Sequence, residues 1–144
     1  MKTLILLRHR EADYLFNELT EQGIADAEDL SGHLSHLFAD KSAAVFSSRE
    51  GRAKQTAEVL SKAFGLSSPL DTLDCLGESG GRIKFSEGLQ AHLPDAVDVV
   101  LCATHNPTLG VLVDQIRAIS DVGYDGSLAE RETHVFTFPE NRWA

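Results

Sequence analysis

Residues 2–14 read KTLILLRHREADY, an apolar run that ends abruptly in Arg8-His9-Arg10. The segment Leu4–Leu7 contains no polar residue, which is typical of a strand buried on both faces of a parallel sheet. Two cations beside an imidazole are poor material for a protein core. The stretch therefore predicts a strand over 3–7, followed either by an anion-binding site or by a solvated strand end.

The rest of the chain alternates between strand-like and helix-like segments. Further strands are predicted over 42–48, 69–76, 96–104 and 133–138, and helices over 21–38, 51–65 and 107–119, with a loop and one short helix over 77–95. Thr20 is placed to cap the first helix, Gly65 to end the second, and Pro107 to begin the third. This alternation predicts a three-layer α/β/α sandwich with a mostly parallel central sheet. We expect one domain over 1–144, because no repeat or linker interrupts the pattern.

The composition restricts the classes of partner. The chain carries 13 Lys and Arg against 22 Asp and Glu, a net charge of -9, which argues against nucleic-acid binding and against an anionic membrane surface. With 42% hydrophobic residues it can form a core without disulfides or metal ions. Cys75 and Cys102 lie in apolar contexts and are expected to be buried free thiols. Since Leu4–Leu7 is too short for a signal peptide or a membrane span, we expect a cytoplasmic protein.

Polar side chains follow three of the predicted strands. The first strand leads to Arg8, His9 and Arg10, the second to Ser47, Ser48 and Arg52, and the fourth to Thr104, His105 and Asn106. Ligands of open parallel sheets bind at the carboxyl ends of the strands, so these groups are expected to converge there. Arginine side chains and helix N-termini are donors suited to a tetrahedral anion such as phosphate.

Four ordered segments resemble those of a known family. The segments LLRHREA (6–12), LTEQGIADAEDL (19–30), FSSREGRAKQTAEVL (46–60) and ATHNPTLG (103–110) are similar to signature blocks of the histidine phosphatase superfamily, also called phosphoglycerate mutase-like. The chain is short and resembles most the compact SixA-type phosphohistidine phosphatases. The resemblance implies the phosphoglycerate mutase-like form of the α/β/α sandwich.

The resemblance also implies roles for individual residues. His9 is the expected nucleophile, which attacks phosphorus to form a phosphohistidine intermediate. Its attacking nitrogen must be unprotonated, so the other ring nitrogen should be fixed by an acceptor such as a backbone carbonyl. Arg8, Arg52 and His105 are expected to hold the phosphoryl oxygens. Asn106 either assists them or caps the helix that follows.

A general acid is expected on the loop after the third strand. The segment Leu76-Gly77-Glu78 fits the leucine-x-glutamate pattern of the family, which makes Glu78 the candidate. Glu11 and Glu87 are alternatives, and Glu78 could also be an ordinary loop carboxylate.

Arg10 departs from the family pattern, which has glycine at this position. Two interpretations are open. The arginine either strains or crowds the turn, or it adds a third phosphate-binding cation.

The expected activity is that of a metal-independent phosphatase without a cofactor, acting on phosphohistidine in a protein. A phosphatase for small phosphate esters and a non-catalytic phospho-ligand binding module are the alternatives. His33 and His36 have a spacing that can bind a metal ion, but no further ligand is fixed by the sequence, so we expect a surface face. No nucleic acid or membrane partner is expected, and the oligomeric state stays open.

Overall fold

The computed structural model describes residues 1–66 and 71–143. The strands are β1 (Lys2–Arg8), β2 (Ala12–Asp13), β3 (Glu18–Leu19), β4 (Ala43–Ser47), β5 (Asp71–Thr72), β6 (Val99–Thr104), β7 (Gly123–Asp125) and β8 (Thr133–Phe138). The α-helices are α1 (Glu21–Phe38), α2 (Gly51–Ala63), α3 (Leu89–His92) and α4 (Thr108–Arg117), with 3₁₀ turns at Asp74–Leu76, Gly80–Arg82 and Ala129–Arg131.

Six strands form the central sheet, in the order β5-β4-β6-β1-β8-β7. The first four are parallel to one another, β8 is antiparallel to β1, and β7 is antiparallel to β8. The register aligns Arg8 of β1 with Thr104 of β6, and Ser47 of β4 with Ala103. The carboxyl ends of β1, β4 and β6 therefore meet at one edge of the sheet, which confirms the mostly parallel topology and fixes where the strand-end side chains lie.

Helices cover both faces of this sheet. Leu4 and Leu6 face a cluster that includes Leu109 and Leu112 of α4, whereas Ile5 and Leu7 face a second cluster with α1 and α2. All four β1 side chains are fully buried. Burying one such side chain contributes about 1.5–3 kcal/mol. The three-layer α/β/α sandwich predicted from the alternation of strands and helices is confirmed.

The first helix has the predicted bounds. Thr20 is its N-cap, and the Thr20 Oγ1 accepts a hydrogen bond from the Gly23 backbone N–H at 3.0 Å. A side chain at Gly23 would clash with the backbone carbonyl of Glu11, so glycine lets α1 pack against the turn that follows β1. The second helix ends at Ala63, and Gly65 adopts the positive φ of 72° that suits a residue just past a helix end.

Other boundaries differ from the prediction. The strand predicted over 69–76 is seen only at Asp71–Thr72, while residues 69 and 70 lie outside the described residues. The chain then turns at Asp74–Leu76, because Leu76 is fully buried and its carbonyl accepts a hydrogen bond from Thr104 Oγ1 at 2.5 Å. Three short strands, β2, β3 and β7, were not predicted, since two or three residues carry no readable periodicity.

Cys75 and Cys102 are free and buried, as predicted. None of the helices within 1–66 and 71–143 is long and apolar enough to cross a membrane.

Candidate active site

Two histidines face each other where β1 and β6 end. Their ring centroids are 5.1 Å apart, and both residues are almost fully buried, with 5% of His9 and 2% of His105 exposed. The His9 N–H donates to the carbonyl of Thr104 at 3.0 Å, which continues the β1–β6 ladder past the end of β1. The structure thus brings together two side chains that are 96 positions apart in the sequence.

The His9 imidazole is held in one tautomer. Its Nδ1 lies 2.8 Å from the backbone carbonyl oxygen of Arg10, which can only accept, so Nδ1 carries the proton. Arg52 Nε donates to His9 Nε2 at 3.2 Å, as expected for a nitrogen with a free lone pair. Burial lowers the pKa of His9, and the nearby guanidinium groups of Arg52, Arg8 and Arg10 lower it further against the opposing hydrogen bond to the Arg10 carbonyl. The ring is therefore neutral near pH 7, with Nε2 available as a nucleophile.

Arg52 lies in the first turn of α2 and is positioned by several partners. Its Nη1 donates to Asn17 Oδ1 at 2.7 Å and contacts the Glu50 carboxylate at 3.4 Å, and its Nη2 is paired with Glu78. The ring of Tyr14 covers the guanidinium, with the ring centroid 4.9 Å from Cζ. Only 7% of the Arg52 side chain is exposed, so the group is fixed in front of His9.

His105 is bonded through one ring nitrogen only. Its Nε2 lies 2.5 Å from Ser48 Oγ, at the end of β4. Across the residues that the structure describes, the buried Nδ1 has no hydrogen-bond partner. Burial is the main cause that lowers the pKa of His105 to about 4, with further contributions from His9, Arg52 and Arg8. His105 is therefore neutral at pH 7, and its Nδ1 is free for a ligand.

This pKa shift predicts a pH dependence of stability. In the unfolded chain a histidine binds its proton near pH 6.5, whereas folded His105 binds it only near pH 4. Lowering the pH through this window therefore favours the unfolded state. We expect the difference in unfolding free energy between wild type and His105→Gln to decrease from pH 7 to pH 4, measured by urea denaturation. A difference that stays constant with pH would contradict the assignment.

Arg8 is held beside His9 by an ion pair and by an aromatic hydroxyl. Its Nη1 lies 3.2 Å from the Glu132 carboxylate, and its Nη2 donates to Tyr14 OH at 3.3 Å. Asn106 Nδ2 donates to the other Glu132 oxygen at 3.0 Å, and the Asn106 side chain does not cap α4. Arg8, His9, Tyr14 and Glu132 border one open cleft of about 340 Å³. Asn106 is thus linked to the site through Glu132.

Arg10 makes its hydrogen bonds within the protein. Its guanidinium makes four hydrogen bonds within the protein, two to the Arg8 carbonyl, one to the Arg131 carbonyl and one to the Asp26 carboxylate. Only 5% of the side chain is exposed, and its backbone φ is not positive. The donors of Arg10 are thus engaged by the Arg8 carbonyl, by α1 and by the turn before β8, although the residue also lines the cleft beside His9. Phosphate binding by Arg10 stays a prediction. The turn is not strained by a residue larger than glycine.

Arg10 is accordingly expected to stabilise the fold. Arg10→Gly would leave the Arg8 and Arg131 carbonyls without these donors, at an expected cost of about 2–3 kcal/mol in unfolding free energy. Arg10→Met, which keeps the buried methylene packing, should recover part of this loss. Urea unfolding of both variants tests the prediction. Unchanged stability together with faster hydrolysis in Arg10→Gly would show instead that the arginine crowds the site.

Of the three candidate acids, Glu78 is the one that contacts Arg52. Its side chain is 61% exposed, and its backbone segment is anchored by Thr108 Oγ1, which donates to the Gly77 carbonyl at 2.6 Å. Glu11 Oε1 instead accepts from Thr20 Oγ1 at 2.7 Å, at the start of α1. Glu87 is exposed and, within the described ranges, makes no hydrogen bond or ion pair through its carboxylate. The geometry favours Glu78.

Three residues at the site were not predicted. Tyr14 and Asn17 belong to the turn between β2 and β3, and Glu132 follows a 3₁₀ turn with a left-handed φ of 50°. Each lies in a polar segment without periodicity. Their roles depend on contacts with Arg8 and Arg52 that a single sequence does not display.

His33 and His36 lie on the surface of α1. His33 pairs with Asp29 at 3.7 Å on an exposed face of α1, where His36 is also exposed. Within 1–66 and 71–143, no group of three or more His, Cys, Asp or Glu side chains is arranged to hold a metal ion.

Comparisons with known proteins agree with this geometry. A search of the curated proteins finds no match. Among solved structures, the protein histidine phosphatase SixA complexed with tungstate is 26% identical, with a TM-score of 0.66 over 79% of this chain and 76% of that chain. A putative phosphohistidine phosphatase SixA from Agrobacterium tumefaciens is 25% identical, with a TM-score of 0.63 over 80% of this chain and 74% of that chain.

A phosphoglycerate mutase from Plasmodium falciparum shares the fold, at 22% identity and a TM-score of 0.59, over 83% of this chain and 71% of that chain. The family model described as histidine phosphatase superfamily (branch 1) matches residues 4–98, which is more than half of the 144 residues. The protein therefore belongs to the histidine phosphatase superfamily.

Proposed function

We propose that the protein is a phosphatase that forms a phosphohistidine intermediate on His9 and acts on phosphohistidine carried by another protein. The observation that carries the proposal is the His9 tautomer, in which Nδ1 is bonded to the Arg10 carbonyl and Nε2 keeps its lone pair beside Arg52. A binding module needs donors around phosphate but has no need of a nucleophile prepared in this way.

In the first step, His9 Nε2 attacks the phosphorus atom, and the bond from phosphorus to the leaving group breaks with its electron pair on the leaving group. Arg52 must give up its hydrogen bond to Nε2 at this point and bind a phosphoryl oxygen instead. Arg8 and the free Nδ1 of His105 are placed to bind the other oxygens, since Ser48 Oγ–H can donate to His105 Nε2 and leave the proton on Nδ1. These groups stabilise the negative charge of the transition state.

Glu78 is proposed to donate a proton to the leaving group in this step. In the second step Glu78 accepts a proton from water, the water oxygen bonds to phosphorus, and the P–N bond breaks with its electron pair returning to Nε2. Because the site supplies its positive charge and donors through Arg8, Arg52 and His105, we propose that the reaction is metal-independent. Hydrolysis that is lost when a chelator is added would refute this.

Two features support a protein as the substrate. The site lies at an open edge of the sheet, where a side-chain phosphoryl group can reach His9. The two SixA structures, at 26% and 25% identity, are named a protein histidine phosphatase and a putative phosphohistidine phosphatase. We further propose one histidine phosphatase domain over 1–144, since β1 pairs with both β6 and β8 and so links the two ends of the chain in one sheet.

The test compares three substrates: a histidine-phosphorylated phosphotransfer domain, free phosphohistidine, and an aryl phosphate. We expect the highest kcat/KM for the phosphorylated domain. With an alkyl phosphate added as a fourth substrate, Glu78→Gln should slow its hydrolysis by about 10²-fold, but that of phosphohistidine much less, because a nitrogen leaving group needs less protonation by the enzyme. Higher kcat/KM for small esters would indicate a small-molecule phosphatase. Phosphate binding without turnover would indicate a binding module.

A further inference from the structure

Large apolar side chains are exposed at one turn beside the site. Tyr14, Leu15 and Phe16 are 60%, 84% and 69% exposed, and we call these three residues the apolar tip. Among the described residues, Met1 and Ile83 are the other large hydrophobic residues with comparable exposure. Exposed apolar groups are thus concentrated at one place, which is typical of an interaction surface.

Hydrogen bonds and strand pairing fix the conformation of the turn that carries the apolar tip. Asp13 Oδ1 accepts hydrogen bonds from the backbone N–H groups of Leu15 and Phe16, at 2.9 and 3.4 Å. The flanking strands pair Asp13 with Glu18, and Asn17 adopts a left-handed φ of 55° while it binds Arg52. These contacts hold Leu15 and Phe16 in an exposed position. The two side chains therefore bury no apolar surface within this chain.

The apolar tip is continuous with the site. Tyr14 accepts a hydrogen bond from Arg8, covers Arg52, and has its ring 6.0 Å from the His9 ring. Leu15 and Phe16 come one and two residues later. A molecule whose phosphoryl group reaches His9 must therefore pass close to these two side chains.

The charged residues that flank the apolar tip in the sequence are all acidic. Residues 11–21 include Glu11, Asp13, Glu18 and Glu21 and no lysine or arginine. A complementary surface combines apolar side chains with basic ones, whereas an anionic membrane or a nucleic acid would be repelled. A phosphoryl group on a protein with such surroundings fits both the apolar tip and the site.

We propose that the apolar tip is the docking surface for the phosphorylated substrate protein, with Leu15 and Phe16 packing against apolar side chains next to its phosphohistidine. Glu18 and Glu21 then face basic side chains of that protein. This inference rests on the proposed function, because it names the surface by which the same site selects its substrate.

The experiment compares the double variant Leu15→Ser/Phe16→Ser with wild type. For the histidine-phosphorylated phosphotransfer domain we expect kcat/KM to fall by about 10–100-fold, mainly through KM. For the aryl phosphate and free phosphohistidine we expect a change of less than about twofold, because neither residue lines the cleft that contains Arg8 and His9. Ile83→Ser is the matched control, since Ile83 is 41% exposed and lies on the segment that packs along α4. It should change neither value.

A second part of the experiment tests the acidic side chains beside the apolar tip. Glu18→Lys/Glu21→Lys should raise KM for the phosphorylated domain by about tenfold at low salt and less at high salt. Glu140→Lys is its control. Glu140 follows β8, whose Phe138 pairs with Lys2, and so lies at the sheet edge opposite the site.

Several outcomes would overturn the proposal. Equal losses on the domain and on the small substrates would assign the apolar tip to a small-molecule pocket. Unchanged kcat/KM on the domain would show that it does not dock there. A concentration-dependent dimer that the double variant abolishes would identify the occupant as a second copy of this chain.

If the proposed function itself is wrong, the result is different: wild type then hydrolyses none of the three substrates. Docking is then still measured by direct binding of the phosphorylated domain to wild type and to the double variant. Weaker binding by the variant supports the docking surface, and equal binding overturns it.

Discussion

Replacing His9 with alanine is expected to lower kcat for every substrate by about 10⁴-fold or more. The variant loses the Nε2 lone pair that the structure presents beside Arg52. His105 cannot take its place, because its Nε2 lone pair accepts the hydrogen bond from Ser48 Oγ and the proton then lies on Nδ1. The loss should appear in kcat with little change in phosphate affinity, since Arg8 and Arg52 remain.

The same prediction has a direct chemical readout. Rapid quenching of wild type with the aryl phosphate should trap phosphate on His9 as an acid-labile, alkali-stable adduct, located by mass spectrometry. His36→Ala, a change at an exposed histidine of α1, is the matched control and should keep full activity. Wild-type turnover with no adduct at His9, or turnover retained by His9→Ala, would contradict the nucleophile assignment.

Replacing Arg52 with lysine is expected to lower kcat/KM by about 10²–10³-fold, although the charge is kept. The planar guanidinium contacts His9, Asn17 and Glu78 at once, and an ammonium group cannot reproduce these directions. Stability should change little, because the carboxylates that pair with Arg52 are substantially exposed, 46% for Glu50 and 61% for Glu78. Steady-state kinetics and urea unfolding on the same samples separate the two effects.

Arg49→Lys is the matched control for this variant. Arg49 precedes α2, is 75% exposed, and pairs with Asp74 rather than with a residue bonded to His9. It should retain wild-type kcat/KM. If Arg52→Lys also retains wild-type kcat/KM, the positive charge is sufficient and the geometry of the Arg52 guanidinium is not required.

The sequence predicts the site residues whose positions follow from the order and direction of the strands. His9, Ser48 and His105 each follow a buried strand, and parallel pairing of β1, β4 and β6 brings them to one edge. The fold is predictable for the same reason, because Leu4–Leu7 can only be a strand covered on both faces. The local signals of Thr20 and Gly65 fix where two helices start and end.

The sequence does not predict the direction of side chains that lie outside the periodic strand and helix segments. Arg10 looks like a third phosphate ligand beside Arg8 and His9, yet its guanidinium turns back to Asp26 and to the Arg131 carbonyl. Its direction depends on α1 and on the turn before β8, which are distant in sequence. Glu132 joins the site through a left-handed residue after a short 3₁₀ turn, a geometry that no pattern encodes.

The carboxylates that pair with Arg8 and Arg52 are expected to affect how inorganic phosphate leaves the site. Arg8 is already bound to Glu132, and Arg52 to Glu78, before any phosphate arrives. Phosphate entry therefore exchanges one anion for another, and the energy needed to separate each pair is subtracted from the binding energy. When inorganic phosphate leaves, the carboxylates return to the guanidinium groups, so departure exposes no unpaired cation. In the proposed mechanism, the site is therefore expected to bind inorganic phosphate weakly and to release it rapidly.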